Sequence, residues 1–200
     1  YGKMMSLPDN MMRKYFDLLS SRTNAEIDQV FEGLKGGQNP KAVKAALAEL
    51  KRARKKGALG VMVLANIDGK SLTDPLFAPI WDEIDKQALP VLIHPSAPPG
   101  VAQMGMHEFQ LTASIGFTFD TSLAIARMML DGFFERFQKL KIIASHGGGA
   151  LPFLVGRLDQ CWYEIPAARA KTDHRPSYFM RPSDAMRMIW CDSVLFRDSA

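Results

Sequence analysis

The stretch that most constrains this chain is Lys141–Gln160, KIIASHGGGALPFLVGRLDQ. A β-branched run from Lys141 to Ser145 ends in His146, followed by Gly147, Gly148 and Gly149 and a long apolar-periodic segment. That order reads as a strand, a tight glycine turn and a helix start. It puts His146 at the C-terminal tip of a buried strand, the end at which α/β proteins bind ligands. Glycines there are expected to leave backbone N–H groups free to face an anion at the helix N-terminus. A glycine turn with a locally hydrogen-bonded histidine fits the same letters, so the rest of the chain has to decide.

From Gly57 the pattern alternates between strands and helices. Gly60–Leu64 reads as a buried strand, Asn66–Gly69 as a loop, and about Pro75 to Ala88 as a helix. Pro90–His94 is a second strand, leading into a loop from Pro95 to His107 with three prolines and two glycines. Its length suits part of a site better than a mere connector. Thr118 or Asp120 is expected to cap a helix with Leu123, Ala126, Met129 and Leu130 inward. Ile142–Ser145 is the third strand; a helix follows from Ala150, broken near Pro166. Thr172–Pro182 is polar and reads as loop, and Met188–Cys191 is a fourth strand ending in Asp192. Repeated strand–helix units predict a parallel sheet with helices outside. Three of the four strands end in an ionisable side chain, His94, His146 and Asp192, and in a (β/α) barrel such tips converge on one face.

Residues 1–56 read as all-helical. Asp9 caps a first helix with Met12, Tyr15, Phe16 and Leu19 on one face; Asn24 caps a second with Ile27, Val30, Phe31 and Leu34. Pro40 opens a third with Val43, Ala46, Leu47 and Leu50. The basic run from Lys51 to Lys56 is best read as a solvated face whose cations suit a helix C-terminus, although it could touch phosphates. The net charge of +4 does not by itself imply nucleic acid. Cys161 and Cys191 lack metal-type spacing, and no apolar run is long enough to span a membrane. The expectation is therefore a cytoplasmic protein.

Two imidazoles and a carboxylate on neighbouring strands suit a divalent first-row ion such as Zn²⁺, with one position left open. The same residues also allow one histidine to ligate while the other moves protons. Arg157 and Arg127 are candidates for gripping a substrate carboxylate. Arg157 lies about 16 Å along its helix at 1.5 Å per residue, too far for the same pocket but able to serve a neighbouring subunit. No nucleophile elbow and no phosphate loop are present.

The first 47 residues, through YGKMMSLPDNMMRKYFDLL and NAEIDQVFEGLKGGQNPKAVKAALA, resemble the helical segment after the KMSKS loop of bacterial tyrosyl-tRNA synthetases. KMMS is not KMSKS, so the resemblance implies a helical scaffold and carries over no catalytic residue. Residues 48 to 197 resemble the aminocarboxymuconate-semialdehyde decarboxylase branch of the amidohydrolase superfamily, which includes resorcylate-type decarboxylases. The matching stretches are AELKRARKKGALGVMV, DPLFAPIWDEIDKQALPVLIHP, FERFQKLKIIASHGGGALPFLVGRLDQ and WCDSVLF.

The resemblance implies that His94 binds the metal and that His146 is the acid/base beside it. It also implies that Arg157 holds the substrate carboxylate of an adjacent subunit. Asp192 matches an aspartate that the family does not clearly use as a ligand, and Gly148 and Phe117 fall where substrate would lie. The family's paired His-x-His and its terminal aspartate motif have no counterpart here.

The expected architecture is α/β: a partial TIM-type (β/α) barrel of parallel strands over 51–200, preceded by a helical segment over 1–50. A whole barrel takes roughly 250 residues. The expected function is metal-dependent decarboxylation or hydrolysis of a small aromatic or unsaturated carboxylic acid. Zinc is the first choice of metal, with manganese second, and a homo-oligomer is expected without a membrane or nucleic-acid partner. The alternatives are an inactive chimeric or structural half barrel and, third, a tRNA-binding module. Loop 95–118, with Met104, His107, Phe109 and Phe117, is expected to line the pocket.

Overall fold

The computed structural model describes residues 40–98, 100–164 and 180–194. The two N-terminal helices expected before residue 35, the break near Pro166 and most of the polar loop from Thr172 lie outside the described residues. Within them, four short strands form one parallel sheet: β1 (Val61–Leu64), β4 (Pro90–His94), β5 (Lys141–Ala144) and β6 (Ile189–Cys191). Their order across the sheet follows their order in the chain, so there is no topological reversal. A chain-ordered parallel array is what an arc of a (β/α) barrel looks like, whereas a doubly wound sheet would reverse at a switch point.

The Asn66–Gly69 loop is a small antiparallel hairpin. Its strands β2 (Asn66–Ile67) and β3 (Lys70–Ser71) turn through Asp68 and Gly69.

The helices lie along one side of the sheet, as right-handed crossovers require. α1 (Pro40–Lys55) leads into β1, with Leu50 buried. The segment expected as one helix from Pro75 is a 3₁₀ turn, Pro75–Phe77, followed by α2 (Ala78–Lys86). Asp74 accepts from the Leu76 N–H at 2.9 Å and so starts that turn. α3 (Phe117–Leu130) and the short α4 (Phe133–Arg136) precede β5. α5 (Leu151–Glu164) follows the glycine turn, and α6 (Pro182–Met186) precedes β6. Pro182 therefore opens a helix instead of closing a loop. Asp159 on α5 accepts from the Ser183 N–H at 2.9 Å, tying these two helices.

The core is the space between sheet and helices. Val91, Ile93, Ile142 and Ala144 are fully buried on that side of β4 and β5. They meet Ile84 of α2, Ile125 and Met128 of α3, Phe133 and Phe134 of α4, and Leu151 of α5. Each of these side chains larger than alanine contributes about 1.5–3 kcal/mol on leaving water. Trp81 meets Phe133 edge to face at 5.0 Å while its indole N–H donates to the Leu72 carbonyl at 2.8 Å, so a large apolar body is buried with its one polar atom satisfied.

The opposite face of the sheet is less covered. Met62, Leu92, Ile143 and Trp190 form one row across it by register, and Met62 and Trp190 are 49% and 56% exposed.

Two expectations about α3 are corrected. It begins after a π-helical turn, Thr112–Gly116, with no side-chain cap. The Thr118 hydroxyl donates to Ile115 O, and the Asp120 carboxylate is engaged elsewhere. Its buried face is Thr121, Ala124, Ile125, Met128 and Met129, whereas Leu123 is 44% exposed.

Candidate active site

Each strand tip is held by the ladder of its neighbour. The Ala65 N–H donates to His94 O at 2.8 Å, the Ser145 N–H to Ile93 O at 3.3 Å and the Asp192 N–H to Ala144 O at 3.0 Å. This fixes the backbone from which the side chains at 94, 146 and 192 project. The imidazoles of His94 and His146 come together, with ring centroids 5.5 Å apart at 61°. Phe117, at the start of α3, completes the group: its ring lies 6.4 Å from His94 and stacks at 6.2 Å on His146. Three candidates from three separate elements thus share one spot.

His94 is buried, and its Nδ1 lies 2.9 Å from Pro95 O. A carbonyl only accepts, so Nδ1 carries the proton and the Nε2 lone pair is left for a ligand. His146 is half-buried with φ of +55°, an uncommon left-handed conformation for a non-glycine residue. Its Nδ1 is buried without a partner among the described residues. Burial and then the neighbouring His94 hold its pKa below the ordinary value, while Asp192 pulls the other way.

Asp192 reaches the same neighbourhood from β6. Its Oδ1 accepts from the N–H groups of Gly147 at 3.0 Å and Val194 at 3.2 Å, and its buried Oδ2 has no partner among the described residues.

The glycine turn is not an anion cradle. Gly147 N–H is taken by Asp192, Gly148 N–H by Ser145 O, Gly149 N–H by His146 O, and Ala150 N–H by the Ser122 hydroxyl at 2.8 Å. The expectation of free N–H groups fails because four donors at this turn already have internal acceptors. The glycines serve close packing instead. A Cβ on Gly148 would lie 2.7 Å from the Cys191 Sγ, and one on Gly149 2.5 Å from Thr118 O, both at positive φ.

Arg157 and Arg127 are exposed on α5 and α3. Of the long loop, Met104 and Phe109 are 71% and 85% exposed and His107 is exposed, so Phe117 alone of the four named residues packs on the imidazoles. Of the basic run, the two arginines are engaged within the chain and Lys51, Lys55 and Lys56 are exposed. Arg52 pairs with Glu49 at 2.6 Å, and Arg54 bonds Gln87 at 3.1 Å and Ala58 O.

Sequence reasoning missed the group at the tip of β1. Asn66 donates from Nδ2 to Asp120 at 2.9 Å and to Ser96 Oγ at 2.9 Å, and the Ser96 N–H donates to Asp120 Oδ2 at 2.8 Å. Asp120 is only 3% exposed. The available signal was a carboxylate amid the apolar letters of FTFDTSLAIA, a setting in which an aspartate needs internal donors.

The described residues do not by themselves gather three His, Cys, Asp or Glu side chains into a metal-binding set. Catalytic zinc sites take three protein ligands. Two imidazoles with one open lone pair and two orphaned buried atoms are thus a partial donor set. No described helix is long and apolar enough to cross a membrane.

Comparison with known proteins agrees with this frame. A 2-amino-3-carboxymuconate-6-semialdehyde decarboxylase from Dictyostelium discoideum is 30% identical over 171 residues, 85% of this chain and 45% of that protein. The structure of a 5-carboxyvanillate decarboxylase from Novosphingobium aromaticivorans, complexed with manganese and 4-hydroxy-3-methoxy-5-nitrobenzoic acid, superposes with a TM-score of 0.59 at 27% identity. It matches over 67% of this chain and 38% of that one. The chain therefore spans less than half the length of either. A tyrosine–tRNA ligase from Shewanella oneidensis is 45% identical over 49 residues, 24% of this chain and 12% of that protein. The family model described as Amidohydrolase matches residues 15–196, nearly the whole sequence, and this chain belongs to that family.

Proposed function

We propose that this chain carries the strand-tip half of a decarboxylase site for a small aromatic or unsaturated carboxylic acid. The observation that carries the reading is the His94–His146 pair, 5.5 Å apart on adjacent strand tips beneath Phe117. The decarboxylases that this chain resembles act on substrates of that class by their names.

His146 is the acid/base. With its pKa lowered it rests neutral near pH 7, and its protonated form is a stronger acid than free imidazole. Loss of CO₂ leaves an electron pair on a substrate carbon; His146, having taken up a proton from solvent, passes it to that carbon in place of CO₂ and returns to its neutral form. Phe117 offers a flat apolar wall to an aromatic ring, and Gly148 gives the floor beside Cys191 no side chain of its own. Arg157 faces outward and serves the carboxylate of a substrate held by a second copy, which makes the working form a homo-oligomer.

A divalent ion belongs to this reading, with manganese ahead of zinc because the related structure contains it. Among the described residues, His94 Nε2 and Asp192 Oδ2 are the donors that would hold it.

The test is CO₂ release from 5-carboxyvanillate and resorcylate-type acids by Mn²⁺-supplied protein. We expect turnover that His146→Ala abolishes and that His94→Ala lowers together with manganese content. Equal metal content in wild type and His94→Ala removes His94 as a ligand. A second reading, a half barrel kept without turnover, is favoured by the incomplete donor set. It is established if the wild type binds no Mn²⁺ and releases no CO₂.

A further inference from the structure

The buried carboxylate of Asp120 has no place in the chemistry above, yet its contacts lead back to His94. Its Oδ2 accepts from the Ser96 N–H at 2.8 Å. That N–H belongs to the same peptide group as Pro95 O, and Pro95 O accepts from His94 Nδ1 at 2.9 Å. Imidazole, peptide and carboxylate thus form one chain of hydrogen bonds, His94 Nδ1–H to Pro95 C=O, then Ser96 N–H to Asp120. A carboxylate on the N–H end of a peptide polarises it and makes its carbonyl a stronger acceptor.

Asp120 is itself held by Asn66 Nδ2, at 2.9 and 3.1 Å to its two oxygens, and by the Ser96 hydroxyl at 3.3 Å. It sits in the first turn of α3, three residues after Phe117, so the same anchor seats the ring that covers both imidazoles.

We propose that Asp120 is a positioning residue that acts through the Pro95–Ser96 peptide, locking His94 in the Nδ1–H tautomer and aiming its Nε2 lone pair into the cleft. The proposal rests on reading His94 as a site residue. Imidazole ligands are generally oriented by a bond from their other nitrogen to a carboxylate or carbonyl; here carbonyl and carboxylate act in series. Neither pairing is visible in the sequence, because Asp120 lies 24 residues beyond Ser96 and on another element.

The test separates tautomer from ligand binding. Long-range ¹H–¹⁵N spectra of the imidazoles are recorded on the wild type, with His94 assigned by its absence in His94→Gln. We expect the Nδ1–H form at His94 in the wild type. Asp120→Ala raises the Nε2–H form about tenfold or more relative to Nδ1–H, and Asp120→Asn, which keeps an acceptor for the Ser96 N–H, gives a smaller change. Asn66→Ala lowers the melting temperature but leaves the tautomer, since the Ser96–Asp120 bond remains.

Mn²⁺ titration is the second readout, with affinity falling about tenfold to a hundredfold in Asp120→Ala. An Nε2–H tautomer in the wild type overturns the proposal with no variant needed. An unchanged tautomer in Asp120→Ala also overturns it. Should that variant fail to fold, Asp120→Asn and the wild type decide the question. A wild type that binds no Mn²⁺ but shows the expected tautomer shifts counts against the metal reading of the site and leaves the Asp120 relay standing.

Discussion

Two glycines between His146 and Arg157 show how far a single Cβ can differ in consequence. Gly149 has φ of +64°, and an added Cβ would stand 2.5 Å from Thr118 O and 2.6 Å from Ser122 Oγ. Left-handed strain and overpacking then add, so Gly149→Ala is expected to cost about 2 kcal/mol or more in chemical denaturation. Gly156 lies inside α5 with nothing within 4 Å of its Cβ position. There alanine removes only backbone freedom, so Gly156→Ala should stabilise by about 0.5–1 kcal/mol.

His146 gives a pH prediction whose sign follows from its surroundings. Burial and His94 hold its folded pKa below the ordinary value, while the unfolded chain protonates near 6.5. Below about pH 6.5 the unfolded state therefore binds a proton that the folded state resists, and stability falls as pH drops toward the folded pKa. Above about pH 7 the imidazole is neutral in both states and contributes no slope. Denaturation of metal-free protein from about pH 7.5 to about pH 5.5 should show a steeper loss in wild type than in His146→Gln; an equal or reversed slope refutes it. The histidines were legible in the sequence because strand tips announce themselves by a β-branched run and a glycine or proline. Asp120 was not, because a carboxylate in the first turn of a helix looks like a cap until the partner across the fold is known.

Among the elements, α3 is where sequence and structure part. Its position and approximate length follow from periodicity, and of its expected inward face Met129 is buried and Ala126 packs on the core, but Leu123 is turned out. Leu123 and Ile125 are both apolar and two residues apart, so they point to different sides of a helix. Letters alone favoured Leu123, yet Thr121 and Ser122 are buried because Thr121 Oγ1 lies 3.4 Å from Ser145 Oγ and Ser122 Oγ holds Thr118 O and the Ala150 N–H. Those hydroxyls turn the helix toward the glycine turn and leave Leu123 outward. Ile125 is fully buried. Ile125→Ala should therefore cost about 2–5 kcal/mol, whereas Leu123→Ala should stay within about 1 kcal/mol. Equal losses in thermal or urea unfolding would return α3 to the orientation expected from its letters.

For the molecule as a whole, the decisive feature is the sheet face away from the helices. Parallel strands covered on both faces read as continuous apolar runs, and VMVL, PVLIH and KIIA read in that way. These three strands were thus legible, but nothing in such runs says which face lacks a cover. The structure supplies that answer: Met62, Leu92, Ile143 and Trp190 lie side by side, while β1 and β6 are the two edges of the described sheet. A contiguous exposed apolar patch bounded by open strand edges favours association. We therefore expect this chain to sediment above monomer mass with rising concentration and to take up a hydrophobic dye. Combining Met62→Lys with Trp190→Glu should shift it toward monomer and reduce dye uptake. The cost in stability should be about 1 kcal/mol or less per site, because both side chains are about half in water already. A wild type that stays monomeric and dye-silent across concentrations would show that this face is covered within the chain. A double variant that unfolds would show that the row carries core packing that its exposure does not suggest.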